Sequence, residues 1–189
     1  MKNLMLNWQN NKRPNMKLKM PLFLLFFISM FSNAQETMSI NGSKPFPATP
    51  QYTFICEKYV YTGEAAIQIA KTDKGGILKI TIATTNDKTK IAGGLYVDLA
   101  NADVIACVDK NVKETGDGKT SSYYYFTPSE FAKLKKNDIK GVRFIITGTT
   151  NTFGDQTGYF TASNKMSYFS TAFDKSKKTF DTAAAISAL

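Results

Sequence analysis

The side chains best able to do chemistry in this 189-residue sequence are carboxylates, two cysteines and a run of three tyrosines, because the chain contains no histidine. Without imidazole there is no Ser-His-Asp or Cys-His nucleophile, no histidine-bound zinc and no histidine acid–base step. No Ser-x-x-Lys occurs from Ser39 onward, and neither G-x-x-x-x-G-K-[ST] nor G-x-G-x-x-G is present. The remaining catalytic arrangement is a pair of carboxylates, which glycoside hydrolysis places ~5–9 Å apart. The candidates are Asp98, Asp103, Asp109, Asp117, Asp155 and Asp174. Each adjoins a turn or loop, where an aspartate is favoured because its side chain hydrogen-bonds its own backbone, so a turn role is expected for each.

The loop from Asp109 to Gly118 offers several oxygen ligands, but it lacks the EF-hand order. Lys110, Lys113 and Lys119 dilute the negative charge that a divalent cation needs. No metal or cofactor is expected. Cys56 and Cys107 are the only cysteines. They form a candidate disulfide if the chain enters an oxidising compartment, and the competing reading is two buried small hydrophobes. Tyr123, Tyr124 and Tyr125 are consecutive, so on a strand Tyr124 faces away from its neighbours. An outward tyrosine there is a candidate surface contact for a sugar or a base. The alternative is core on one face and cross-strand pairing on the other.

These residues are held by a strand–helix–strand unit from Tyr123 to Gly148. Tyr123-Tyr124-Tyr125-Phe126 has high strand propensity. Thr127-Pro128-Ser129-Glu130 then carries the signals of a helix start: an N-cap threonine, proline at the first helical position and a glutamate that reaches back to the cap. Phe126 and Phe131 stand at the staple positions, and Leu134 follows on the same face. Val142 to Ile146 is the second strand.

Upstream, strands are expected over 52–61, 65–70, 77–84, 91–99 and 104–108, separated by short turns. Gly93-Gly94 predicts a bulge in the fourth. The stretch 109–120 reads as a long polar loop, and 156–161 as a last strand. Asn164 reads as the cap of a short helix carrying Met166, Phe169 and Phe173, and 180–189 as a terminal helix. Five strands in succession before any helix argue against βαβ alternation. The expected class is α+β, mainly β: an antiparallel meander sheet or sandwich with a short capped helix inserted between late strands, and helical segments at the C-terminus. Leu78, Ile80, Ile82, Val97, Leu99, Val104, Ala106, Phe131, Leu134, Phe144 and Ile146 are expected in the core.

Residues 1–34 read as a signal peptide. Lys12, Arg13, Lys17 and Lys19 precede an apolar run ending at Phe31, and Ser32-Asn33-Ala34 is an A-x-A-like site before Gln35. The run is about half of the ~20 residues that span a bilayer, so no transmembrane anchor is expected in the mature chain. Five of the 24 basic and none of the 15 acidic residues precede Gln35, which leaves 19 basic against 15 acidic residues, a balance of +4. That field is ordinary for a soluble domain and does not favour nucleic acid as a partner. Residues 35–50, with Pro45, Pro47 and Pro50, read as an extended N-terminal arm that forms core poorly, and 51–189 as a single β-rich domain.

The leader ending Ser32-Asn33-Ala34-Gln35 and the run Tyr125 to Glu130 ahead of Lys133-Leu134-Lys135-Lys136 resemble small secreted proteins of Bacteroidota, catalogued mostly as domains of unknown function. The resemblance implies an exported β-rich domain, periplasmic or extracellular, and it transfers no functional residue. The functional expectation is a non-catalytic binding or interaction domain of the cell envelope, with an envelope protein or a glycan as its partner. A carboxylate-based hydrolase acting on a glycan and an envelope structural subunit are the alternatives.

Overall fold

The computed structural model describes residues 36–56, 63–84, 86–148, 157–166 and 178–189, which lie in the compact unit Gln35–Leu189. The leader, Tyr59, Asp155, Asp174, Phe169 and Phe173 fall outside the described residues.

Eleven strands and two short helices are described: β1 (Glu36–Met38), β2 (Phe46–Ala48), β3 (Tyr52–Ile55), β4 (Glu64–Thr72), β5 (Gly75–Ala83), β6 (Lys90–Leu99), β7 (Val104–Cys107), β8 (Lys113–Gly116), β9 (Lys119–Phe126), α1 (Pro128–Leu134), β10 (Ile139–Thr147), β11 (Gly158–Ser163) and α2 (Thr182–Ser187). The fold is therefore mainly β with two helices, as expected, and its strand pairs are antiparallel. The sheet runs β7-β6-β10-β11-β3-β4-β5-β9-β8, with β1 paired to β2 and β2 to β4. The order is not a simple meander, because the late pair β10–β11 is inserted between β6 and β3.

Strict alternation builds the inner face. Ile67 and Ile69 of β4, Leu78, Ile80 and Ile82 of β5, Val97 and Leu99 of β6, and Phe144 and Ile146 of β10 join one buried cluster with Phe131 and Leu134 of α1. In β7 the alternation runs the other way from the expected one. Ile105 and Cys107 are buried, whereas Val104 is 49% exposed and Ala106 is exposed. Pairing Asp98 with Val104 and Tyr96 with Ala106 puts both β7 residues on the solvent side of the sheet.

The N-terminal segment contributes to the core after all. Met38, Ile40 and Ala48 form a second buried cluster with Ala70, Ile77 and Tyr123 on the outer face of β4, β5 and β9. Thr49 holds the segment there. Its N–H donates to the Ile69 carbonyl at 2.8 Å, and its hydroxyl accepts from Ile69 N–H at 3.1 Å. The side chain thus supplies a ladder bond next to Pro50, which has no N–H to give. The loop expected over 109–120 contains β8, hydrogen-bonded to β9 from Lys113 to Gly116.

The glycine pair in β6 does make a bulge. Three residues of β6 (Gly93, Gly94 and Leu95) oppose one of β10 (Phe144) between the Tyr96–Arg143 and Ala92–Ile145 pairs, and Gly93 has φ +72°. Beyond the bulge β7 no longer covers the edge of β6, and side chains take over. Ser122 donates to the Ile91 carbonyl at 3.1 Å, Tyr124 to the Gly93 carbonyl at 3.2 Å, and Gly93 N–H donates to Asp109 at 3.0 Å.

α1 forms as expected. Thr127 accepts from Glu130 N–H, and the Glu130 carboxylate accepts from Thr127 N–H. The helix expected after Asn164 lies outside the described residues, and the Asn164 side chain itself is part of the C-terminal attachment. Its buried amide donates to the Ile139 and Phe180 carbonyls and accepts from Phe180 N–H, fastening the C-terminal segment to β10.

Cys56 and Cys107 are both buried and free, so the candidate disulfide is not formed. Burial pushes both thiols up to about 12, with Glu130 adding to the effect at Cys107. The unfolded thiol titrates near ~8.5. The folded value is the higher one, so the stability that burial of the neutral thiols contributes is intact below pH ~8.5 and is lost as pH climbs toward 12. At pH 8 an aromatic disulfide reagent is expected to label neither cysteine in the folded protein and both in denaturant. Absence of free thiol in the unreduced, denatured protein would establish a bridge instead.

Candidate functional site

The outer face of β7, β6, β10 and β11 carries the most exposed aromatic surface among the described residues. Strand alternation places it. Phe144, Phe160 and Val97 point into the core, so their neighbours Arg143, Tyr159 and Tyr96 point out. Tyr159 is 82% exposed and Tyr96 46%. In register across the sheet, Tyr96 pairs with Ala106 and Arg143, Arg143 with Thr161, and Ile145 with Tyr159.

Arg143 is the fixed point of this face. Its Nε and Nη2 donate to the two carboxylate oxygens of Asp98 at 2.9 and 2.8 Å. Its guanidinium lies over the Tyr96 ring, 5.0 Å from the centroid. The Asp98 hydrogen bonds hold the guanidinium pKa above its ordinary value. Nη1 remains free of Asp98 and available to a ligand.

Beside this platform lies a recess of about 280 Å³, whose polar lining is Asp98, Asp103, Lys140, Thr161 and Ser163 and whose apolar lining is Leu99, Ala102, Val104 and Gly141. Gly141 lets β10 and β11 approach closely: a Cβ there would stand 3.0 Å from the Ala162 carbonyl oxygen. The carboxylates of the recess are already engaged. Arg143 takes both oxygens of Asp98, and Lys133 pairs with Asp103 at 3.5 Å. Lys140 has no partner among the described residues.

A second, polar groove of about 570 Å³ crosses the outer face of β3, β4, β5, β9 and β8. Its polar groups largely satisfy one another. Tyr123 donates to Glu114, Lys79 pairs with Glu114 at 3.5 Å, and the Thr81 and Ser121 hydroxyls meet at 2.7 Å. Burial works to raise the Glu114 pKa, but the Tyr123 hydrogen bond and the Lys79 charge outweigh it and hold the carboxyl below its usual range. That suits an ionised structural carboxylate better than a general acid, which needs a raised value.

The tyrosine run is not a contact surface. Tyr123 and Tyr124 are fully buried, one under the N-terminal hairpin and the other in the main core, and Tyr125 is half-buried beneath Lys110. The run alternates faces as strand geometry requires, but the main core covers one face and the N-terminal segment the other. Tyr96 and Tyr159 carry the exposed surface and escaped notice in the sequence. The signal that could have found them is a tyrosine flanked on both sides by buried apolar residues, in Leu95-Tyr96-Val97 and before Phe160. Asp109 spends its carboxylate on Gly93 N–H, Asn111 N–H and Lys113. Asp117 lies at the tip of the β8–β9 turn with φ +51°.

Among the described residues, no group of three or more His, Cys, Asp or Glu is placed to hold a metal ion, and no helix is long and apolar enough to cross a membrane. No family model, curated protein or solved structure matches the chain.

Proposed function

We propose that this protein is an exported, non-catalytic binding domain of the cell envelope, and that its contact surface is the outer face of β7, β6, β10 and β11. The observation that carries this reading is Arg143, exposed yet held in one geometry by a bidentate carboxylate and an aromatic ring. A solvent-exposed ion pair contributes only ~0–1 kcal/mol to stability. Fixing the guanidinium does more for recognition, because a ligand then does not have to bear the entropy cost of ordering it. Export is supported by the leader pattern ahead of Gln35. Two observations speak against the hydrolase alternative: Arg143 holds Asp98 as an ion-paired carboxylate through both oxygens, and the Glu114 carboxyl is held below its usual range, so neither is a proton donor. Against a strand-edge assembly role stand the end strands themselves. β7 and β8 have four residues each, and such short edges are poor templates for pairing.

The test is to immobilise the exported protein and pass purified envelope polysaccharide and envelope protein fractions over it. Retention of a component by wild type but not by Tyr159→Ala or Arg143→Ala is the expected result, with N-terminal sequencing of the exported protein giving Gln35. Cleavage products in the flow-through, or no retention at all, would overturn the reading.

A further inference from the structure

We infer that the ligand of this face is an extended oligosaccharide chain, with one sugar in the Gly141 recess and the following units laid over Tyr96 and Tyr159. The inference rests on the binding reading above and names its ligand class.

The first argument is charge. The face neutralises its own ions in two pairs, Arg143 with Asp98 and Lys133 with Asp103. Only Lys140 is left on the recess without a partner among the described residues. A polyanion such as nucleic acid wants a continuous basic stripe, and an oppositely charged protein patch has nothing here to answer it. A neutral or weakly acidic polyhydroxyl chain matches a face whose charges are already paired.

The second argument is the donor and acceptor set. The recess presents the Thr161 and Ser163 hydroxyls, the Lys140 ammonium and the remaining lone pairs of the ion-paired Asp98 and Asp103 carboxylates, beside the apolar Leu99, Ala102 and Val104. Sugar hydroxyls donate and accept at once, so they are served by alternating acceptors and donors on a shallow wall.

The third argument is spacing. Tyr96 stands in register with Arg143, and Tyr159 with Ile145, two residues further along β10 and one strand beyond it. With strands 4.7–4.9 Å apart and a rise near 3.4 Å, the two tyrosines lie about 12 Å apart, roughly two sugar units of an extended chain. The exposed Tyr159 ring offers a flat apolar face to the C–H side of a pyranose, and Tyr96, one face of which lies under the Arg143 guanidinium, offers the rest of its half-exposed ring.

The experiment titrates the full-length exported protein by calorimetry with hexasaccharides of β-1,4-glucose, β-1,4-N-acetylglucosamine, α-1,4-glucose, β-1,4-mannose and α-1,4-galacturonate, and with the disaccharide of each. Binding of at least one hexasaccharide is expected, at least tenfold tighter than its disaccharide. Tyr159→Ala should weaken the hexasaccharide tenfold or more and leave the disaccharide unchanged, since the disaccharide needs only the recess and Tyr96. Because Tyr159 is almost fully exposed, this variant keeps the wild-type melting temperature. Silence of all five hexasaccharides overturns the inference. So does binding that survives Tyr159→Ala and Tyr96→Ala but is lost in Thr81→Ala, which would place the sugar in the other groove. If no sugar binds and a purified envelope protein is captured by wild type but not by Arg143→Ala, the glycan inference falls while the binding reading stands.

Discussion

Gly75→Ala is expected to destabilise the fold by about 2–6 kcal/mol, the sum of ~1–3 for forcing a side chain into a glycine-only backbone region and ~1–3 for overpacking. Gly75 opens β5 at φ +125°, and an added Cβ would stand 2.1 Å from the Phe126 carbonyl oxygen and 2.9 Å from the Thr127 carbonyl carbon. Both obstacles are backbone, so no rotamer change relieves them. They also lie where β9 turns into α1, so relief would have to displace the helix start. Gly116→Ala provides the control, because its Cβ would meet nothing within 4 Å. That change should stay within about 0.5 kcal/mol. Urea melts of both variants decide the matter, and equal midpoints would show that the β5–β9 junction yields more readily than its geometry implies.

Phe131→Ala is expected to cost ~3–5 kcal/mol, against ~0.5–2 for Thr127→Ala. α1 has seven residues, and an isolated helix shorter than ~12–15 residues is marginal in water, so its stability must come from packing. The Phe131 ring lies where a Cβ on Gly76 would stand 2.3 Å from it, which means that the helix seats against bare β5 backbone. Lys135 covers the ring from outside at 5.4 Å from its centroid. Leu134 beside it is fully buried. The cap satisfies backbone groups that water would otherwise reach, since its bonds are exposed, whereas loss of the ring leaves a cavity between helix and sheet. Denaturant melts showing Thr127→Ala to be the more damaging variant would reverse this ranking. Binding at the outer face of β10 should be unaffected in folded Phe131→Ala, because α1 contributes only Lys133, through Asp103, to the rim of the recess.

Much of this architecture was legible in the sequence wherever a local rule decided it. The capping box of α1, the alternation of β4 and β5 and the glycine bulge of β6 each depend on neighbours within a few residues. The illegible parts are those set by distant partners. Nothing local says that β10 and β11 enter between β6 and β3, and only that insertion aligns Arg143 with Tyr96 and Tyr159 with Ile145. β7 was read in the opposite alternation because Val104 and Ile105 are equally apolar, and its register is imposed by β6. The proline-rich segment before Tyr52 looked too irregular to pack. Its buried residues are few, and they find their partners on β4, β5 and β9. The same limit explains the candidate site. A three-tyrosine run is conspicuous but largely buried, while the two exposed tyrosines among the described residues, Tyr96 and Tyr159, are separated by more than sixty positions.

The insertion of β10 and β11 also governs how quickly the chain can reach this state. Ile55 of β3 waits for Ser163 of β11, and Tyr96 of β6 for Arg143 of β10. The two halves of the sheet are joined as hydrogen-bonded neighbouring strands only through the last strands to be synthesised, although β9 side chains also reach the β6 backbone. A chain dominated by such distant pairings belongs with the slow two-state folders, in the millisecond-to-second range. A partial chain ending before β10 has the β4–β5 hairpin but no closed core. Folding is thereby postponed until nearly the whole sequence is available, a delay that suits the export proposed above, because a translocation channel takes an unfolded chain.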